Sequence, residues 1–257
     1  MSNRFIIIGA DNSGTTSSIY HMNQHPDIYM YYDETHFFDQ DINYNKGIDW
    51  YESLFNTNKK IIGEKTPSYM YFNYSMERIK THYPDIKLIM FLREPVGKSY
   101  CLYNNNKLRY PNERIDYIDI IKRDEKITPT NMNLHQIYNN NFHEGSFTLH
   151  RGFYINHIKH IYSNFPKENI YIAIHEEIKK NPFAEYNKMY SFLGVRNLND
   201  CEFTSIPNIN SVKYESKISD GDFKYVYNIY KPYNELLYNF IGREIELWEE
   251  IYTPWKN

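Results

Sequence analysis

The most constraining stretch of the chain is Phe5 to Pro26, FIIIGADNSGTTSSIYHMNQHP. Four consecutive apolar residues, Phe5 to Ile8, suit a strand covered on both faces. Gly9 and Gly14 bracket the loop that follows, and Thr15, Thr16, Ser17 and Ser18 open a helical pattern. A strand that feeds such a loop into a helix presents backbone N–H groups and the positive end of the helix dipole, an arrangement that favours phosphate or sulfate. A purely structural tight turn is the plain alternative.

The spacing G-x-x-x-x-G in GADNSGTT is that of a Walker loop, but Thr15 stands where that loop carries its lysine, which disfavours an ATP- or GTP-dependent kinase. At 257 residues and 41% hydrophobic content, the chain can build one large α/β domain or two small ones. With no linker-like composition shift and no internal repeat, a single domain over 1–257 is the simpler expectation. A net charge of −3 provides no global basic field, so nucleic acid is not an expected partner and an anionic ligand must be met by a local patch. Cys101 and Cys201 do not form a disulfide framework, and the histidines lack the paired spacing of a zinc site, so no metal is expected. No signal peptide is expected, and no apolar run approaches membrane-spanning length. The expectation is a soluble protein of the cytoplasm or a comparable reducing compartment, with no membrane partner.

Hydrophobic periodicity predicts strand 4–9, helix 14–24, strand 28–31, helix 48–55, strand 59–62, helix 72–82 and strand 87–92. Residues 95–165 read as mostly helical, 167–175 as a further buried strand, and 182–193 as a helix. A final helical stretch over about 222–249 carries Tyr227, Ile229, Leu236, Leu237 and Phe240 and is interrupted by Pro232. The alternation implies a central parallel β-sheet flanked by helices, with ligands at the carboxyl ends of the strands, where the loops after residues 9, 31, 63 and 92 converge.

Gly14-Thr15-Thr16 with His25-Pro26 resembles the 5′-phosphosulfate loop of sulfotransferases, except that Asn12 occupies its lysine position. Glu34, His36, Phe37, Phe38, Asp39, Lys46, Gly47, Trp50 and Tyr51 fall in register with a segment of the glycosaminoglycan sulfotransferases that modify heparan sulfate, although Asp33 replaces a lysine. By that resemblance Glu34 is the general base and His36 sits beside the acceptor; the bland reading makes Glu34 a solvated loop acid. Glu64-Lys65-Thr66-Pro67-Ser68-Tyr69 resembles the family's E-K-T-P-x-Y and puts Lys65 in the cleft, unless it is simply an exposed turn lysine. Residues 87–103 resemble the segment that binds the donor's 3′-phosphate through Arg93, with Lys98 in place of a second arginine and Cys101 in place of a serine. Arg151 to Tyr154, Phe165-Pro166, Glu176, Asn181-Pro182 and Phe192 to Gly194 resemble the family's scaffold. Pro207 to Ser211 looks like a bacterial loop that closes on adenosine through Asn210 and Ser211.

Together these resemblances imply the P-loop-like sulfotransferase fold. They also imply in-line transfer of a sulfuryl group from 3′-phosphoadenylyl sulfate (PAPS) to a hydroxyl or amine of a carbohydrate or small-molecule acceptor, leaving adenosine 3′,5′-bisphosphate (PAP). Ser13, Gly14, Thr15, Thr16 and Ser17, with Asn12, are the expected phosphosulfate cradle, and Glu34, His36 and Lys65 the catalytic group. Because Asn12 lacks the lysine's charge, a catalytically weak or inactive protein that binds PAP, PAPS or a glycan is the rival reading.

Overall fold

The structure, a computed structural model, describes residues 3–110, 115–127, 147–204, 206 and 216–255. Strand β1 (Arg4–Gly9) leads into α1 (Thr15–Asn23), β2 (Ile28–Met30), α2 (Asp41–Tyr44), α3 (Ile48–Ser53), β3 (Ile61–Lys65), α4 (Asn73–His82) and β4 (Lys87–Leu92). There follow α5 (Pro95–Arg109), α6 (Tyr117–Glu125), α7 (Tyr154–Asn164), β5 (Ile170–Ile174), α8 (His175–Lys180), α9 (Pro182–Leu193), α10 (Asp220–Ile241) and α11 (Glu246–Tyr252). The chain divides into two compact units, Met1–Leu92 with Ile158–Ser211 and Arg93–His157 with Val212–Asn257.

In the first unit the five strands pair in parallel in the order β2-β3-β1-β4-β5. The central position of β1 follows from its composition, since Phe5 to Ile8 are all buried and a strand with neighbours on both edges and helices on both faces tolerates no polar side. Alternate residues Phe5 and Ile7 of β1 and Ile89 and Phe91 of β4 share one face with Ile19 and Met22 of α1 and with Tyr186, Met189, Tyr190 and Leu193 of α9. Strand β1 pairs with β3 on one side and β4 on the other, and the chain, after running from β1 out to β2 and back to β3, crosses β1 to β4, so the topology reverses at the carboxyl end of β1, where such folds bind ligands.

Strands 4–9 and 87–92 and helix 182–193 stand where periodicity puts them. The last of these is well marked, because Asn181 caps it through Oδ1, 3.1 Å from the Ala184 N–H, Pro182 takes the first turn and Gly194 closes it with φ 82°. Strand β3 corrects the expectation: it spans Ile61–Lys65 rather than 59–62, so Glu64 and Lys65 belong to the strand and not to the loop beyond it. Strand β5 is likewise shorter than expected, because a 3₁₀ turn occupies Lys167–Asn169 and His175 already starts a helix.

Gly9 ends β1 beneath the turn that follows β3. A Cβ there would lie 2.1 Å from Met70 Sδ and 3.0 Å from the Pro67 carbonyl, so only glycine lets the two segments meet.

In the second unit Glu94 caps α5, accepting from the Val96 and Gly97 N–H groups at 2.7 and 2.6 Å, and it accepts again from the Tyr252 hydroxyl at 2.7 Å. Buried Asp124 of α6 accepts from the Leu149 N–H at 3.1 Å. Helix α10 corrects the expected break at Pro232, running through it to a Gly242 cap with φ 78°. The buried stripe of Val226, Tyr227, Tyr230, Asn234 and Leu237 holds the helix together across the missing N–H, while Leu236 and Phe240 are exposed, 50% and 38%. No described helix is long and apolar enough to cross a membrane.

Candidate active site

The loop between β1 and α1 carries Asn12, Ser13 and Gly14, and the first turn of α1 adds Thr15, Thr16 and Ser17 at the carboxyl end of β1. Gly14 caps α1 in the left-handed conformation (φ 90°), and no side chain caps the helix, so its first N–H groups remain directed at the loop. Ser13 and Thr15 are buried, and Ser18 Oγ turns back to the Thr15 carbonyl at 2.6 Å. Asn12 is also left-handed (φ 56°), which asparagine tolerates better than most residues. The neighbouring Asp11 accepts from the Tyr71 hydroxyl at 2.5 Å. His25, by contrast, is scaffold: it is buried, with Nε2 2.9 Å from the Arg196 carbonyl and Nδ1 accepting from the Asp27 N–H at 3.1 Å.

Glu34, His36 and Lys65 come together in one ionic network. Lys65 Nζ donates to Glu34 Oε1 at 2.6 Å, His36 Nε2 lies 3.3 Å from Glu34 Oε2, and His36 Nδ1 lies 3.0 Å from Asp39 Oδ2. Ser68 Oγ also donates to Asp39. Lys65 is buried, 6% exposed along its side chain, whereas Glu34 is 36% exposed and offers its carboxylate to solvent. The Asp39 and Glu34 hydrogen bonds outweigh burial and raise the His36 imidazole to about 10, so it is a cation at neutral pH. Burial pushes the Glu34 carboxyl up, but hydrogen bonds and charge from His36 and Lys65 more than offset it and hold Glu34 below its usual range.

The backbone that carries this network is pinned from below. His36 has φ 46°, an uncommon conformation for a residue with a Cβ. The Tyr69 hydroxyl accepts from the Phe37 N–H at 3.0 Å and the Phe38 N–H at 3.3 Å and bonds Thr35 Oγ1 at 2.9 Å. Phe37 and Phe38 are fully buried, and Tyr51 stacks on Phe37 at 4.7 Å. The motif thus divides its tasks: Glu34, His36 and Asp39 form the network, and the aromatic residues form its foundation. Glu64, facing away from Lys65 along β3, is buried at 1% exposure and accepts from Thr66 Oγ1 at 2.8 Å. Burial raises its carboxyl to about 7.

Beside the phosphate loop, on the side of β4 and β5, lies a pocket of about 200 Å³ lined by Ser13, Gly14, Ser17, His21, His175 and Tyr186 among others. His21 is 4% exposed, its ring stacked between Tyr186 at 4.4 Å and Phe203 at 5.3 Å. Burial lowers it to about 4, so it is neutral, and its Nδ1 has no hydrogen-bond partner among the described residues. His21 lies within the opening stretch and His175 ends the expected strand 167–175, but neither is among the expected ligand-binding residues. The signal that could have found His175 is its place immediately after β5, the one strand end left out of the expected ligand-binding edge.

Arg93 and Cys101 belong to the second unit. Arg93 follows β4 directly, with its backbone held by Tyr154, whose hydroxyl donates to the Arg93 carbonyl at 2.8 Å. Cys101 is buried at 9% exposure on α5, with Asn105 Nδ2 3.8 Å from its sulfur, and Lys98 is fully buried. Asn210 and Ser211 lie outside the described residues. Among the described residues no group of three or more His, Cys, Asp or Glu side chains is placed to hold a metal ion.

A family model for the sulfotransferase domain matches residues 2–227. The chain belongs to the sulfotransferase family. It is 28% identical over 196 residues to heparan sulfate glucosamine 3-O-sulfotransferase 3B1 of Homo sapiens, covering 75% of this chain and 46% of that protein. The chain thus spans about half the length of the curated relatives it matches first. Among solved structures, a sulfotransferase from Alicyclobacillus acidocaldarius superposes with TM-score 0.73 at 22% identity, over 97% of this chain and 99% of that one. Mouse sulfotransferase SULT7A1, solved in complex with PAP, aligns with TM-score 0.50 at 16% identity, over 79% of this chain and 62% of that one. The P-loop-like sulfotransferase fold therefore has here a five-stranded parallel sheet flanked by helices.

Proposed function

We propose that this protein, acting as one sulfotransferase domain, transfers a sulfuryl group from PAPS to a hydroxyl or amine of a carbohydrate acceptor. The observation that carries the reading is the Glu34, Lys65, His36 and Asp39 network placed by the same sheet edge as an uncapped α1 N-terminus. The N–H groups from Ser13 to Ser17 would hold the 5′-phosphosulfate, and the resemblance of residues 87–103 assigns the 3′-phosphate to Arg93. The PAP complex of a structural neighbour and the heparan sulfate relatives support donor and acceptor class respectively.

Within this reading the acceptor oxygen or nitrogen attacks sulfur, its proton passes to Glu34, and the bond from sulfur to the bridging phosphate oxygen breaks to release PAP. His36, already protonated at neutral pH, cannot be the base; it supplies positive charge beside the acceptor. Lys65 keeps Glu34 ionised, and as the carboxylate takes the proton the ammonium is freed to answer negative charge that develops on the transferring group.

Asn12 favours a second reading, a protein that binds donor without useful turnover, because losing one preorganised donor at the leaving group costs about 10²–10³ in rate. Two measurements separate them. Calorimetric titration with PAP should give binding that collapses in Arg93→Ala and exceeds that of ATP; equal binding of ATP removes the donor assignment. Glu34→Gln should then lower sulfuryl transfer by about 10²–10⁴-fold with PAP affinity unchanged. A protein that binds PAP but transfers no sulfuryl group before the substitution is the binding protein.

A further inference from the structure

The network around Glu34 engages Lys65 on the β3 side of the phosphate loop, and Asn12 brings no charge to the loop itself. On the opposite side His175 begins α8 at the end of β5, and its ring rests against the helix cap. A Cβ built on Gly14 would lie 2.9 Å from His175 Nδ1 and 3.3 Å from its Cε1. The imidazole thus occupies the space that the absent side chain of Gly14 leaves open. Lys179, four residues on along α8 and therefore on the same face, lines the same pocket, whereas Glu176 and Glu177 do not. The pocket also holds buried His21, with its unpartnered Nδ1, a polar group whose burial is costly until something bonds to it.

We propose that His175 and Lys179 grip the donor's 5′-phosphate from the β5 side and replace, as an anchor of the bound donor, the lysine that position 12 lacks. The inference rests on the donor reading above and assigns the charge that reading is missing. It also says what kind of contribution these residues make. They approach the loop from the side opposite Lys65 and Glu34, so they contact the donor equally before and during transfer. Such uniform binding lowers KM for the donor without raising kcat, unlike a lysine on the leaving-group oxygen, which acts on kcat. They are binding residues, and the slow chemistry expected from Asn12 remains.

The test is calorimetric titration of the whole chain with PAP, at two salt concentrations, for the unaltered protein, Lys179→Ala, His175→Gln and the double variant. Lys179 is exposed, so its substitution leaves the fold intact, and thermal unfolding checks the His175 variants. Charge-assisted hydrogen bonds of this kind predict a loss of about 10-fold or more in affinity for the double variant, with a flatter salt dependence. Adding Asn12→Lys to the double variant should raise kcat while leaving the loss of affinity in place. In transfer assays the same loss should appear in KM for the donor. PAP affinity within twofold of the unaltered protein in the folded double variant would overturn the assignment. No binding by the unaltered protein overturns the donor reading itself, and this inference with it.

Discussion

On the β3 side of the phosphate loop Glu34, His36, Asp39 and Lys65 satisfy one another, each ionic group meeting its opposite within 3.3 Å. On the β5 side the pocket is lined by imidazole and aromatic rings, and the buried His21 is left neutral with one nitrogen unbonded. The contrast separates two tasks. A site that passes a proton must start from a defined charge state, and a matched network fixes one. A site that takes up a ligand gains when a buried group such as His21 is still unsatisfied, since the ligand then supplies the missing bond.

Removing the cation from the matched side should have the largest effect. Lys65→Met is expected to cost about 10²–10³ in kcat and to raise the Glu34 carboxyl, moving the acid limb of the rate profile to higher pH. An unchanged rate would reduce that side to scaffold. Beneath it, Glu64 is raised to about 7 from an ordinary 4.5, so its contribution to stability is full below pH 4.5 and is lost as pH rises through 7. Glu64→Gln, which cannot ionise, should therefore gain on the unaltered protein across that interval, by on the order of 3 kcal/mol above pH 7 in chemical denaturation. A difference independent of pH would show that Glu64 does not titrate there. The smallest effect is expected on the unsatisfied side: His21→Phe should stabilise the fold by about 1 kcal/mol while weakening PAP binding. Loss of stability instead would mean that the imidazole is bonded in the folded protein.

The parts of this arrangement that were legible in sequence are those set by local pattern. The apolar runs of β1 and β4 and the caps of α9 fix their own limits, and the order of strands and helices is enough to place the phosphate loop at the carboxyl ends of the strands. Strand β3 escaped because Glu64 and Lys65 look like loop residues; their partners, Thr66 and Glu34, are supplied by the fold and not by periodicity. Pro232 misled for a related reason, since tertiary packing of Tyr227, Tyr230 and Leu237 carries α10 past a residue that local propensity would use to end it. His21 and His175 were missed because an isolated histidine has no spacing to read; only burial and the nearness of Gly14 give them meaning.

The contact at Gly9 ties the two sides together. The strand that delivers the phosphate loop and the turn that follows Lys65 approach this closely because a methyl group is missing at this one position. An alanine there would act as a shim, thickening the joint by the width of one carbon and pushing the turn after Lys65 away from the strand that carries the loop. The tolerance of the site is therefore set by a residue that touches no substrate and has no side chain to offer one.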